Sequence, residues 1–184
     1  MKQGFAIFLS ILLMLSFCGC RPSGLHGSNT AATESATTAP TRPETIQLEF
    51  FLEGMGEYQD ATLYVGDGYS LYIPDDNWVQ TPGQSGEMTW VSGYNPDILL
   101  RVIPNAGERY DQVRDALFQG YTDISEEGEY VFGRDASGRL YRAARLIKTS
   151  NGILAAVWDY TFESIEGFGA RLYVIAGTLE ITQQ

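Results

Sequence analysis

The stretch from Ile46 to Glu53 constrains this chain most. Ile46, Leu48, Phe50 and Leu52 alternate with Gln47, Glu49 and Glu53. A period of two places successive side chains on opposite faces, so the segment reads as a half-buried strand. A sheet with one apolar face must then be covered by a second layer. The same device recurs along the chain. Residues 61–65 and 69–73 read as strands on either side of Gly66-Asp67-Gly68, and Pro74 closes the second of them. Asp-Gly between two apolar runs is a strong short-range hairpin signal.

Further strands are expected over 87–92, which carries Trp90, and over 129–133, 140–148 and 153–163. Residues 98–103 are apolar on both faces except at Arg101, as in a central strand covered from both sides. Asn95-Pro96-Asp97, the run from Asp135 to Gly138 and Ser150-Asn151-Gly152 supply turns, the last a tight hairpin by its Asn-Gly. In 153–163, Leu154, Ala156, Trp158, Tyr160 and Phe162 share one face, which needs a covering layer.

Helical spacing is clearest over 106–119. Tyr110, Val113, Leu117 and Tyr121 form one stripe, Asn105 can cap the start with Glu108 three residues on, and Gly120 suits the exit. In the tail, Leu172, Ile175 and Leu179 favour a helix, whereas Leu172 and Val174 alternating with Arg171 and Tyr173 also fit a strand. The reading adopted is a helix over 167–176 and a short strand over 178–181. These elements make one α+β domain over 46–184, a mainly antiparallel sheet of about seven strands with helices packed on its faces. Its length, about 140 residues, suffices for a single core.

The segment before the domain has a different character. Phe5 to Phe17 is apolar except for Ser10 and Ser16 and follows Lys2. As a helix it would span only about 20 Å, against about 30 Å for a bilayer core. That is the length of a signal peptide's hydrophobic region. Leu15-Ser16-Phe17-Cys18-Gly19-Cys20 resembles a bacterial lipobox, with small Gly19 directly before Cys20 and Phe17 where Leu is usual. The resemblance implies removal of residues 1–19 and a diacylglyceryl thioether on Cys20. Two acyl chains hold a protein firmly where one does not. The expected location is therefore the extracytoplasmic face of a cell membrane, held by a lipid anchor. Residues 20–45 read as a disordered tether rich in Thr, Ser and Ala, with Pro22, Pro40 and Pro43 and no apolar periodicity. As a flexible coil it reaches about 25–30 Å.

Charge and residue inventory exclude several functions. The chain has 12 Lys and Arg against 23 Asp and Glu, a net charge of −11. Loss of Lys2 with the signal makes this 11 against 23, or −12. Nucleic-acid binding needs clustered cations, so it is not expected. The sole histidine, His26, lies in the tether. Of the two cysteines, Cys18 leaves with the signal and Cys20 is consumed by acylation. Ser-His-Asp and Cys-His catalysis and His- or Cys-based zinc sites therefore have no residues to work with in the domain. No metal and no cofactor is expected.

Carboxylate chemistry would have to draw on Asp75, Asp76, Asp159 and Glu163, which the sequence does not bring together. Asp75-Asp76-Asn77 reads as a polar turn before Trp78 enters the core, since it lacks the spaced ligand ladder of a calcium loop. Gly167-Phe168-Gly169 is too short to argue for a phosphate loop. Tyr64, Tyr72, Tyr94 and Tyr141 are placed facing outward, where aromatics anchor protein partners or pair across strands.

Tyr69-Ser70-Leu71-Tyr72-Ile73-Pro74, followed by an acidic turn and Trp78, resembles the opening of PsbP-like domains. That resemblance covers most of the domain and implies an αβα sandwich with an accessory or binding role and no activity. The resulting expectation is a lipid-anchored, extracytoplasmic, non-catalytic accessory or binding module with an envelope protein as candidate partner. The alternative is a carboxylate-based cell-envelope hydrolase.

Overall fold

The computed structural model describes residues 42–52 and 54–182, all within the compact unit that runs from Pro40 to Gln184. The signal segment, Cys20, His26 and the tether up to residue 41 lie outside the described residues.

Two antiparallel sheets build the unit. In the first, β1 (Thr45–Leu52) forms a hairpin with β2 (Met55–Val65), with Leu52 opposite Met55. β3 (Tyr69–Pro74) pairs with β2, and a two-residue strand at Glu180–Ile181, the eleventh and last, pairs with β3. The second sheet contains β4 (Trp78–Pro82), β5 (Met88–Ser92) and β6 (Leu99–Ile103), followed in the chain by β7 (Tyr121–Glu127), β8 (Tyr130–Asp135), β9 (Leu140–Thr149) and β10 (Gly152–Thr161). Its spatial order is β4-β5-β6-β10-β9-β8-β7, so the long β9–β10 hairpin lies near the middle. Helix α1 (Tyr110–Leu117) lies between β6 and β7 in the chain, and α2 (Ala170–Gly177) precedes β11 (Glu180–Ile181).

The domain is thus α+β and mainly antiparallel. The single sheet of about seven strands covered by helices is corrected: among the described residues there are two sheets with eleven strands, and each α-helix has only eight residues. The reason lies in β10, whose residues from Ile153 to Asp159 are all buried. Leu154, Ala156 and Trp158 pack into one cluster with Leu100 and Val102, with Phe50 and Leu71 of the first sheet, and with Leu172 and Ile175 of α2. Ile153, Ala155 and Val157 pack the other way, against Val113 and Phe118 on the α1 side, with Val131, Ala144 and Leu146. Each large apolar side chain so buried contributes about 1.5–3 kcal/mol. One short helix cannot cover the wider of these faces, and the four-stranded sheet completes it.

Several local expectations are also corrected. The helix expected from residue 106 begins at Tyr110, and Asn105 does not cap it. Instead Ala106 N donates to Ile153 O and Ile153 N donates to Gly107 O, both at 2.8 Å. The backbone of 106–107 extends the ladder beside β10 and is not free to turn helical. Phe162 leaves the β10 face because the strand ends at Thr161 in a 3-10 turn, Phe162–Ser164, closed by Thr161 N donating to Ser164 Oγ at 3.0 Å. A π-helical turn, Ile165–Gly169, then leads into α2. Trp78 starts a strand and is only partly buried, edge-on to Phe168 with ring centroids 6.5 Å apart.

The folded unit also starts before residue 46. Arg42 Nη1 donates to Ser70 O at 3.1 Å and Ser70 Oγ at 2.9 Å, and its guanidinium lies 4.5 Å from the Tyr72 ring centroid. Tyr72 in turn donates its hydroxyl to Pro43 O at 2.8 Å. The last residues assigned to the tether are therefore part of the fold.

Candidate functional site

Four chain segments meet at one end of the two-sheet core. The β2–β3 turn brings Asp67 and Gly68, and is closed by Gly66 N donating to Tyr69 O at 2.9 Å. The end of β6 brings Pro104 and Asn105. The β9–β10 hairpin brings Thr149, Ser150 and Asn151. There Thr149 Oγ1 donates to Gly152 O and accepts from Asn151 N, each at 3.1 Å. The last strand brings Ile181 and Thr182, and Thr182 N donates to Gly68 O at 3.1 Å. Together they rim a cleft of about 420 Å³ whose lining includes the buried Leu154. That volume falls in the range of small-molecule sites. Its rim is built from carboxamides, hydroxyls and one carboxylate.

The four carboxylates singled out in the sequence are not brought together there. Asp159 is 6% exposed and held in a fork by Arg142, with Nε to Oδ1 and Nη2 to Oδ2 both 2.7 Å. Arg142 also donates through Nη1 to Leu117 O at 2.7 Å and lies 4.6 Å from the Tyr121 ring centroid. The hydrogen bonds it donates to Asp159 hold the guanidinium's pKa above its ordinary value, against the opposing effect of burial. The pair fixes the end of α1 to the sheet. Asp75 accepts from Thr62 Oγ1 at 2.7 Å, and Asp76 accepts from Asn77 N at 2.6 Å and from the Tyr94 hydroxyl at 3.2 Å. Glu163 lies in the exposed 3-10 turn. Among the described residues no group of three or more His, Cys, Asp or Glu could hold a metal ion.

The four tyrosines do not form one outward patch. Tyr64 is half-buried and edge-on to Trp90 at 5.0 Å. Tyr72, expected to face outward, is 3% exposed beneath Arg42. Tyr141 stacks on its cross-strand partner Tyr160 at 5.7 Å. Tyr94 is exposed and lies in the loop after β5. The stacking of Tyr141 fits the cross-strand role.

Sequence reasoning marked Gly66-Asp67-Gly68 and Ser150-Asn151-Gly152 as turns but not as parts of one cleft. They lie far apart in the chain, and no local pattern carries their convergence.

The α+β domain with an end cleft matches, over residues 42–99, a sequence family described as a domain of unknown function (DUF8580). No curated protein matches the chain. Among solved structures, it is similar to the solution structure of cyanobacterial PsbP (CyanoP) from Synechocystis sp. PCC 6803. The identity is 14%, covering 66% of this chain and 92% of that one, with a TM-score of 0.45.

Proposed function

We propose that this chain is a lipid-anchored, extracytoplasmic binding module that performs no chemistry of its own. The observation that carries the binding reading is the end cleft, about 420 Å³ in volume and rimmed by amide and hydroxyl side chains. The location rests on the lipobox-like run ending at Cys20. Among the described residues no helix is long and apolar enough to cross a membrane; a diacylated Cys20 would hold the protein at a membrane surface.

The hydrolase alternative needs two carboxyl groups roughly 5–10 Å apart across a substrate, one of them protonated at working pH. Asp159, the buried candidate, is instead held in a fork by Arg142, and Asp75 and Asp76 are engaged by Thr62, Asn77 and Tyr94. The accessory role implied by the PsbP-like opening from Tyr69 to Trp78 agrees with a binding module, as does an envelope protein as partner.

Two experiments test the reading. Cys20→Ala should move the protein from the membrane fraction to the soluble one, and membrane retention of that variant overturns the anchor. Purified protein should leave cell-wall glycan intact. Glycan cleavage that is lost on changing one of the four carboxylates would replace this reading with the hydrolase.

A further inference from the structure

We infer that the end cleft takes a neutral ligand rich in hydroxyl and amide groups, of the acetamido-sugar class; this rests on the binding-module reading and names its ligand. The rim chemistry sets the class. Asn105 and Asn151 present carboxamides, and Ser150 and Thr182 present hydroxyls, with Ser150 Oγ donating to Asn151 Oδ1 at 3.4 Å. Each of these groups both donates and accepts hydrogen bonds, which matches ligand groups that do the same. Ile181, 45% exposed, and Pro104 add an apolar surface suited to the C–H face of a ring or an acetamide methyl.

Asn105 provides a second, independent pointer. Its backbone lies in the left-handed region at φ 55°, where a non-glycine residue carries strain, though Asn tolerates it better than most. It was expected to cap α1, yet the helix starts at Tyr110 with Arg109 as its flanking residue and no side-chain cap. The Asn105 carboxamide thus remains on the cleft rim without the capping duty that would have explained it.

Charge argues against the other ligand classes. Among its described residues the rim contains no Lys or Arg, in a chain of net charge −11, so a phosphate or other anion finds no cation there. The nearby cation Lys148 lines a neighbouring groove together with Glu108. A mainly apolar ligand would leave the amides and hydroxyls of the rim unpaired, at a cost for each group it buries.

The test uses residues 40–184, the compact unit that holds both clusters, labelled with ¹⁵N. Titration with N,N′-diacetylchitobiose should give saturable amide shifts centred on Asn105, Asn151 and Thr182. Asn105→Gly keeps the left-handed backbone and removes only the carboxamide. It should weaken binding about tenfold without lowering the thermal midpoint, since glycine adopts the left-handed backbone without strain. Inorganic phosphate and the neutral peptide Ala-Ala-Ala should leave these amides unmoved. Saturable binding of either one at the rim, or sugar shifts centred elsewhere, overturns the assignment. If a sugar-free envelope protein fraction moves the rim amides while chitobiose does not, the ligand class is wrong and the binding reading stands. If neither moves them, both fall.

Discussion

Arg42 Nη2 donates to Thr178 O at 2.8 Å, joining residues 136 positions apart. The bond ties the start of the described chain to the turn before its last strand. That strand has only two residues, paired with Tyr69 and Ser70, too short to hold by its own ladder. Arg42 sits against it with its side chain 17% exposed, and its Nε lies 3.6 Å from Glu180. The same last strand forms one side of the cleft through Ile181 and Thr182. Arg42 therefore clamps the start of the described chain beside the cleft, ahead of β1.

Arg42→Ala should accordingly loosen the end of the molecule first. Hydrogen bonds from a charged donor contribute about 1.5–3 kcal/mol, so the thermal midpoint should fall by several degrees. Amide exchange at Thr178, Leu179 and Thr182 should quicken more than anywhere in β10. Arg42→Lys should recover little, because an ammonium lacks the planar fork that spans Ser70 and Thr178. Uniform loosening across both sheets would show that Arg42 has no special hold on the last strand.

Asp159 and Arg142 make the opposite kind of prediction, one about the core. Removing one partner of a buried pair leaves the other charge uncompensated, at about 3–5 kcal/mol. Asp159→Ala should lose stability in that range by chemical denaturation. Replacing both residues by Leu should cost less than either single change, since an apolar pair removes the stranded charge. An Asp159 kept for catalysis would instead give a variant of nearly unchanged stability.

The sequence made this architecture legible wherever burial was one-sided or complete. The alternation of β1, the Asp-Gly and Asn-Gly hairpins and the doubly apolar β6 all appear in the structure. The strands that were missed, β4 and β7, are edges of their sheet. Of their residues only Trp78 and Tyr121 are even partly buried, so they carry no apolar period to read. The division into two sheets was not legible either, because it depends on which distant strands meet β10 and β3. The start of α1 failed for a related reason. Asn105 has the composition of a cap, but the backbone after it is claimed by Ile153, some fifty residues downstream. The cleft is hidden in the same way, being made of turns that become neighbours only after the sheets stack.

The Asp135 turn should show a pH dependence that can be checked by itself. The Ser137 hydroxyl, at 2.7 Å, and the N–H groups of Arg139 and Leu140, at 2.9 and 3.2 Å, hold its carboxyl below the ordinary value of 3.8, while desolvation pushes the other way. A carboxylate with a folded pKa below its unfolded one contributes stability above the unfolded value, and that contribution is lost as pH falls through the folded value. The Arg139 and Leu140 amide resonances should therefore titrate together with a midpoint below 3.8. Asp135→Asn should abolish that titration. A midpoint above the ordinary value would reverse the sign and remove this carboxylate from the turn's supports.

Gly152 gives the sharpest steric prediction, because two independent constraints fall on one residue. Its φ is +127°, and an added Cβ would lie 2.6 Å from Gly107 O. That oxygen cannot retreat cheaply, since it accepts from Ile153 N at 2.8 Å in the contact that displaces the start of α1. Gly138, at φ +69°, has open space around its missing Cβ. Gly138→Ala should therefore show backbone strain alone, about 1 kcal/mol. Gly152→Ala should lose more than that, by thermal or chemical denaturation, because strain and collision add. It should also disturb the Asn151 and Asn105 amides, since the hairpin and the 105–107 segment meet at this contact and both rim the cleft. Equal losses at the two glycines would mean that residues 105–107 yield easily, and the rim would then lack the rigidity that positions Asn105.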